Sequence, residues 1–362
     1  MRLEISERQS QSSLLDLLAP VLAVGLAMIL GGLMVLALGK SPLQALMVYF
    51  IEPLSDPWAL QEMAVKASPL VMIAIGLAFC YRANLWNIGA EGQFIMGGAM
   101  GGWIALLTHG MGAQSPWGTA WILPAMLAMG ALAGALYALI PALLRVALGV
   151  SEILTSLMLV YIAQLFLDYM VRGPWRDPKG FNFPVTVNFD PAATLPLLMQ
   201  TGRLHLGVVF ALVAALIAAL ILNRSLFGFE VRLVGIAPRA ARFAGFREDR
   251  LTLIVFAISG ARAGLAGISE VAGQIGQLQP VISPGYGFTA IIVAFLGRLS
   301  PFGIVLAGLM MALTYVGGEA AQVSMKLPSF LVSAFQGLVL MCVLAADRLV
   351  RWRVQIQWGP RA

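Results

Sequence analysis

The amino-acid sequence predicts an all-α polytopic membrane protein of about ten transmembrane helices, some short or broken, with both termini cytoplasmic (N-in/C-in). Three observations carry this reading. Of 362 residues, 60% are hydrophobic and only 11% charged, where a soluble domain has about 45–50% and about 25%. Apolar runs near the length of a bilayer-crossing helix recur along the chain. Basic residues, finally, gather on one side of the layer those runs define. Mean hydropathy is +0.87. Over half of a folded surface is already apolar, so a soluble fold of this size could not hide the excess. An ordinary soluble enzyme, a secreted disulfide scaffold and a disordered regulator are excluded.

The runs fall at 17–38, 67–81, 88–107, 118–140, 153–171, 204–222, 251–271, 286–296, 301–316 and 328–346. The first is too long for a signal peptide, and Glu4, Glu7 and Asp16 spoil a basic leader. The second, eighth and ninth read as short or broken by Gly and Pro. Of 23 Lys and Arg, fifteen lie in the segments this count makes cytoplasmic, seven outside, and Arg262 within a span. An odd number of spans would put one of two Arg-rich segments, 223–250 or 348–361, on the wrong side. Residues 172–203 carry Pro174, Pro178, Pro184, Pro191 and Pro196 and predict an outer cap. The amphipathic stretch 43–51 suits the membrane interface. No linker or repeat divides the chain, so the expectation is one membrane domain over 1–362.

Soluble-enzyme chemistry finds little support. Gly39-Lys40-Ser41 lacks the upstream Gly of a phosphate loop, position 34 being Met, and no strand precedes it. The glycine-rich string at 285–290 lacks a strand as well. His109 and His205 are neither spaced as metal ligands nor paired with a nucleophile. Cys80 and Cys342 lie within apolar runs. The net charge of +6 belongs to loops rather than to a basic face, so no nucleic acid is expected.

Two constellations remain. Asn84, Asn87, Glu91 and Gln93 crowd the junction of the second and third spans, followed by Gly97, Gly98, Gly101 and Gly102. Amides satisfy backbone freed where helices break, and small residues let helices approach. A hinge locking two helices and a part of the translocation path both fit, and they are compatible. Arg262 and Glu270, eight residues apart in one span, suggest an internal pair or interfacial snorkelling. Glu152 suits a helix start, and Trp103, Trp117 and Trp121 suit interface anchors. The loop 223–250 predicts a short helix with Pro238 in its first turn and Gly245 at its stop. Ala240, Ala241 and Ala244 make a small-residue face and Arg239 and Arg242 share another side. Such a helix either hugs anionic lipid or docks into a cytoplasmic partner.

The string Asn87-Ile88-Gly89-Ala90-Glu91-Gly92-Gln93 resembles the permease subunits of bacterial ABC importers of the branched-chain amino acid and ribose class. The segments 228–246, 259–267, 285–288 and 294–301 resemble them in the same order. The nearest subgroup is nucleoside or simple-sugar uptake permeases, and Arg262 departs from the small or apolar residue expected there. The resemblance implies a multi-pass subunit of the bacterial inner membrane. It implies a second permease subunit in a heterodimer, two cytoplasmic ATPase subunits and an external substrate-binding lipoprotein. Pro238, Arg239, Ala240, Ala241, Arg242 and Gly245 would then couple to an ATPase. ATP and Mg would be used by the partners, with no cofactor or catalysis in this chain. An ion-coupled secondary transporter is the competing class, and it needs midplane carboxylates, for which only Glu91 and Glu270 qualify.

Overall fold

The computed structural model describes residues 2–7, 13–110, 118–199 and 201–357; Trp117 lies outside them. In chain order the first helices are α1 (Ser13–Ala37), α2 (Pro42–Leu46), α3 (Glu52–Ser55), α4 (Pro57–Arg82) and α5 (Ala90–Leu107). Next come α6 (Ile122–Leu148), α7 (Glu152–Arg172), α8 (Gly207–Arg224), α9 (Leu226–Ile236) and α10 (Pro238–Phe243). The last are α11 (Glu248–Glu270), α12 (Tyr286–Leu296), α13 (Pro301–Met325) and α14 (Ser329–Arg351). Two π-helical turns, Met47–Ile51 and Val271–Ile275, join α2 to α3 and extend α11.

Each predicted run coincides with a helix. Among the described residues, six helices are long and apolar enough to cross a membrane: α4, α6, α7, α8, α13 and α11 with its π extension. The chain is accordingly a multi-pass membrane protein. The second and ninth runs are corrected: they are unbroken helices of 26 and 25 residues. Glu62 and Lys66 in α4, and Gly317, Gly318 and Glu319 in α13, shorten the apolar signal without stopping the helix. Pro69 withdraws the donor that would serve the Val65 carbonyl. Ser68 Oγ replaces it, donating to that oxygen at 2.9 Å. A second departure is an antiparallel ribbon, β1 (Arg2–Glu7) with β2 (Trp352–Gln357), pairing Arg2 with Gln357. Leu3, Ile5, Val354 and Ile356 alternate with polar residues at strand period, but six-residue segments are invisible to a search for spans.

The contacts group residues 1–60 with 313–362 as one compact unit and 61–312 as another. In the first, α1 packs on α14 and the Tyr49 ring meets Phe335 edge-on at 4.9 Å. The second is built on α5, α6 and α11. Gly97 of α5 faces Gly264 of α11, Gly134 of α6 faces the Gly260 carbonyl, and Gly267 faces the Phe94 carbonyl. A Cβ at any of these positions would strike backbone, so only glycine permits the spacing.

Beyond Gly276 the chain turns back through the second unit without helix. Leu278 lies over Gly102, Ile282 over Gly98, and Gly287 against Glu91, so 278–285 runs antiparallel to α5 without helix before α12 begins. The eleven residues of α12 reach about 16 Å, roughly half of a bilayer core. The eighth run is short because the residues before Tyr286 are not helical. The irregular segment 173–206 shields the turn: Thr186 N–H donates to the Leu278 carbonyl, Phe189 N–H to Gly276 and Leu195 N–H to Ala272, at 2.7–3.0 Å.

Gly264→Val is expected to part α5, α6 and α11 and lower stability by about 1–3 kcal/mol, the usual cost of overpacking. Gly337→Ala, which meets nothing within 4 Å, should leave stability unchanged. Thermal aggregation of the detergent-purified protein reads both.

Candidate functional site

The polar junction predicted at 84–93 is built from three separate arrangements. Asn84 takes φ 55° and is exposed, and its N–H bonds the Tyr81 carbonyl at 3.1 Å. It terminates α4 and does not join the buried cluster. Asn87 and Gln93 exchange amide hydrogen bonds at 3.0 Å each way. Asn87 Nδ2 also donates to Ser259 Oγ of α11 at 3.0 Å, and its Oδ1 accepts from Gly89 N–H at 3.0 Å. With Tyr81 Oη on the Asn87 carbonyl at 3.1 Å, this cluster is closed and ties α4, α5 and α11 together. Buried amides saturated in this way rigidify their surroundings.

Glu91 stands apart from that lock and reaches α12. Its Oε2 accepts from Gly287 N–H at 2.6 Å. Ser283 Oγ accepts from the Gly285 and Tyr286 N–H groups at 3.1 and 3.0 Å. The first amides of α12 therefore point at a carboxylate and a hydroxyl, which satisfies donors no preceding turn can serve and complements the helix dipole. Ser283 was legible as a helix-start residue two positions before Gly285; its partnership with Glu91, 192 positions earlier, was not.

The far end of α11 corrects one expectation. Arg262 and Glu270 do not pair. Glu270 faces Glu62 and Lys66 of α4 and accepts from Tyr286, and Arg262 packs its Cβ beside Gly76. Lys66 lies within α4. Glu152 does more than begin a helix: buried, it pairs with Arg145 at the end of α6 and accepts from Trp86 N–H at 3.3 Å. Tyr81, Trp86 and Phe295 stack at 5.0–5.8 Å, joining this junction to the end of α12.

The loop 223–250 folds as two helices, α9 and α10. Pro238 takes the first position of α10. Gly245 takes φ 86° as Phe246 N–H closes back on the Ala241 carbonyl at 3.0 Å. The predicted small-residue face is divided, because Ala241 is 1% exposed while Ala240 and Ala244 face outward. Ala241 thus serves the chain's own packing. Arg239 is exposed, and the Glu248 carboxylate, at 2.7 Å from the Arg242 guanidinium, holds that group above its ordinary range. The surface presented is apolar: Phe243 is 97% exposed and Ile236 77%, neither singled out by the alanine pattern. At the end of α9 next to α10, Gly235 rests on the Arg82 carbonyl, two residues before Asn84.

A short apolar helix whose amino end meets a buried carboxylate resembles the discontinuous helices of membrane transporters. The sequence comparisons agree. Residues 59–344 match the family of permease components of the branched-chain amino acid transport system, and the chain belongs to that family. It is 36% identical to a glucose ABC transporter permease of Haloferax volcanii, over 100% of this chain and 96% of the relative. Identity to the guanosine ABC transporter permease NupP of Bacillus subtilis is 30%, over 91% and 93%. The nucleoside ABC transporter permease NupB of Lactococcus lactis is 29% identical, over 83% of each chain.

Asn87→Ala is expected to cost about 1–3 kcal/mol, because it leaves the buried Gln93 amide unpaired. Asn87→Ala with Gln93→Ala should cost clearly less than the sum of the single changes. A double-mutant cycle on thermal stability measures the coupling; strict additivity would show that the two amides do not form a unit.

Proposed function

We propose that this chain is one of two permease subunits of an ATP-driven importer that moves nucleosides across the bacterial inner membrane. Ten spans with both termini cytoplasmic form a single permease domain over 1–362. An external lipoprotein delivers solute, and two cytoplasmic ATPase subunits use ATP and Mg, with no cofactor or hydrolysis in this chain. The observation that carries the reading is the broken crossing at 276–296, capped by Glu91, in a chain of this permease family. Two nucleoside permeases among its relatives support nucleosides. Simple sugars are the second reading, favoured by the 36% identity to a glucose permease over the whole chain.

The proposed mechanism is mechanical. Pro238, Arg239, Ala240, Arg242 and Gly245 form and orient the turn that seats in the ATPase, and Ala241 anchors it. Phe243 is the side chain that enters the groove. Movement of α10 passes through α9, where Gly235 on the Arg82 carbonyl pushes the junction at 82–93. Asn84 marks the bend, Asn87 and Gln93 hold α4 to α11, and Glu91 carries the displacement to α12. Any side chain at 235 would meet that carbonyl, so the contact transmits displacement without a compressible layer.

Reconstituted with its partners, the transporter should accumulate guanosine only with ATP and Mg; uptake that follows a proton or sodium gradient without ATP would overturn the importer reading. Phe243→Asp should lower recovery of the ATPase on co-purification by about tenfold or more, as buried aromatic anchors dominate interfaces. Arg239→Ala should do much less, because an exposed charge contributes little. The reverse order would point to lipid binding by this loop.

A further inference from the structure

A further group of polar side chains lies in the second unit beside Glu270 and Lys66. Three segments meet there: residues 61–66 of α4, residues 201–207, and the end of α11 with its π-helical turn. Gly202 backs onto the Gln61 amide, Gly207 lies between the His205 ring and Ser269, and Gly273 faces the His205 ring at its Nε2 side. Arg203 Nε stands 3.9 Å from Glu62 Oε1. Within this junction Gln61 Oε1, Glu62 Oε1, His205 Nε2, Ser269 Oγ and Gln274 Nε2 are buried without a hydrogen-bond partner among the described residues. His205 and Ser269 are 1% and 3% exposed. Unserved buried polar atoms cost free energy, and five in one place call for an account.

Their chemistry is specific. His205 Nδ1 accepts from Gly207 N–H at 3.1 Å, so its proton sits on Nε2, which is a donor. The Gln274 amide nitrogen is a second donor. Gln61 and Glu62 offer acceptors, and Ser269 serves as either. A metal cation would meet two N–H donors, and an anion would meet the Glu62 and Glu270 carboxylates. Lys66 and Arg203 balance those two charges, so no net charge invites an ionic ligand. Hydroxyl groups, each donor and acceptor at once, match the set. The π-helical turn at 271–275, a distortion common at functional sites, carries Gln274 and sets Gly273 against the His205 ring.

We propose that Gln61, Glu62, His205, Ser269 and Gln274 form a transit binding site for a neutral, hydroxyl-rich solute at the outer mouth of the pathway. The assignment rests on the importer reading and adds to it a point at which the permease itself reads the solute. Glu62 and Gln61 accept from its hydroxyls, His205 and Gln274 donate to them, and Ser269 completes the ring of contacts.

The test is uptake by proteoliposomes holding the complete transporter, with guanosine and its 2′-deoxy and 3′-deoxy analogues at saturating binding protein. The binding protein is common to all samples, so a change in analogue preference belongs to the permease. Ser269→Ala, His205→Gln and Glu62→Gln are each expected to reduce guanosine uptake by about tenfold, as loss of one buried hydrogen bond does. The preference for guanosine over one deoxy analogue should collapse toward unity in at least one variant. ATPase recovery and basal ATP hydrolysis should stay at the unmodified level. Uptake within twofold of the unmodified transporter in all three variants overturns the site. So does uptake that falls with analogue preference unchanged, since that is the signature of a structural role. If a variant does not assemble, the remaining conservative changes decide. Absence of ATP-driven guanosine uptake by the unmodified transporter is a different result: it removes the nucleoside reading, and the same comparison with glucose and its deoxy analogues then decides the site.

Discussion

A helix that begins inside an apolar layer leaves amide donors that neither water nor a preceding turn can serve. The bond from Gly287 N–H to Glu91 Oε2, at 2.6 Å, meets that requirement, and much of the second unit follows from it. Glu91 must stand at the start of α5, so α5 must begin where α12 does. The non-helical residues 278–285 must then lie along α5, and they can because Gly98 and Gly102 leave room for Ile282 and Leu278. Backbone without helix is tolerated at such depth only where protein buries it. The segment 173–206 supplies part of that cover through its bonds to Ala272, Gly276 and Leu278.

Around this break the structure divides into stiff and adjustable parts. The glycine contacts of α5, α6 and α11 place backbone on backbone, and such packing has little slack. The Asn87–Gln93–Ser259 lock adds polar saturation to the same body. The junction at 82–89 depends instead on individual bonds: Arg82 Nε to the Leu299 carbonyl at 3.1 Å, Trp86 N–H to Glu152, and the stacked rings of Tyr81, Trp86 and Phe295. Arg298 and Leu299 both take positive φ, 52° and 55°, where non-glycine residues are strained. The segment α9–α10 touches this junction at Gly235 and presents Phe243 outward. It therefore adjoins the adjustable region rather than the rigid core.

What the sequence determined by itself is the local part. Composition set the class, apolar runs set the helices, and Pro238 and Gly245 set the ends of α10, because each is written in neighbouring residues. The glycines at 97, 98, 101 and 102 announced close packing by their spacing. Glu91 and Gln93 announced a polar junction by standing in an apolar surround. Where sequence reasoning failed, a distant partner decided. Arg262 and Glu270 share a helix face, yet Glu270 is claimed by Lys66, Glu62 and Tyr286. Ala241 looked available and is buried by the chain's own packing, while exposed Phe243 carried no periodic signal. Only the tertiary structure showed that the short eighth run follows a non-helical segment laid along α5. Such a segment, and a helix start whose N–H is accepted 196 positions away, leave no local pattern: their partners Thr186 and Glu91 are remote in the chain, and sequence spacing records only neighbours along it.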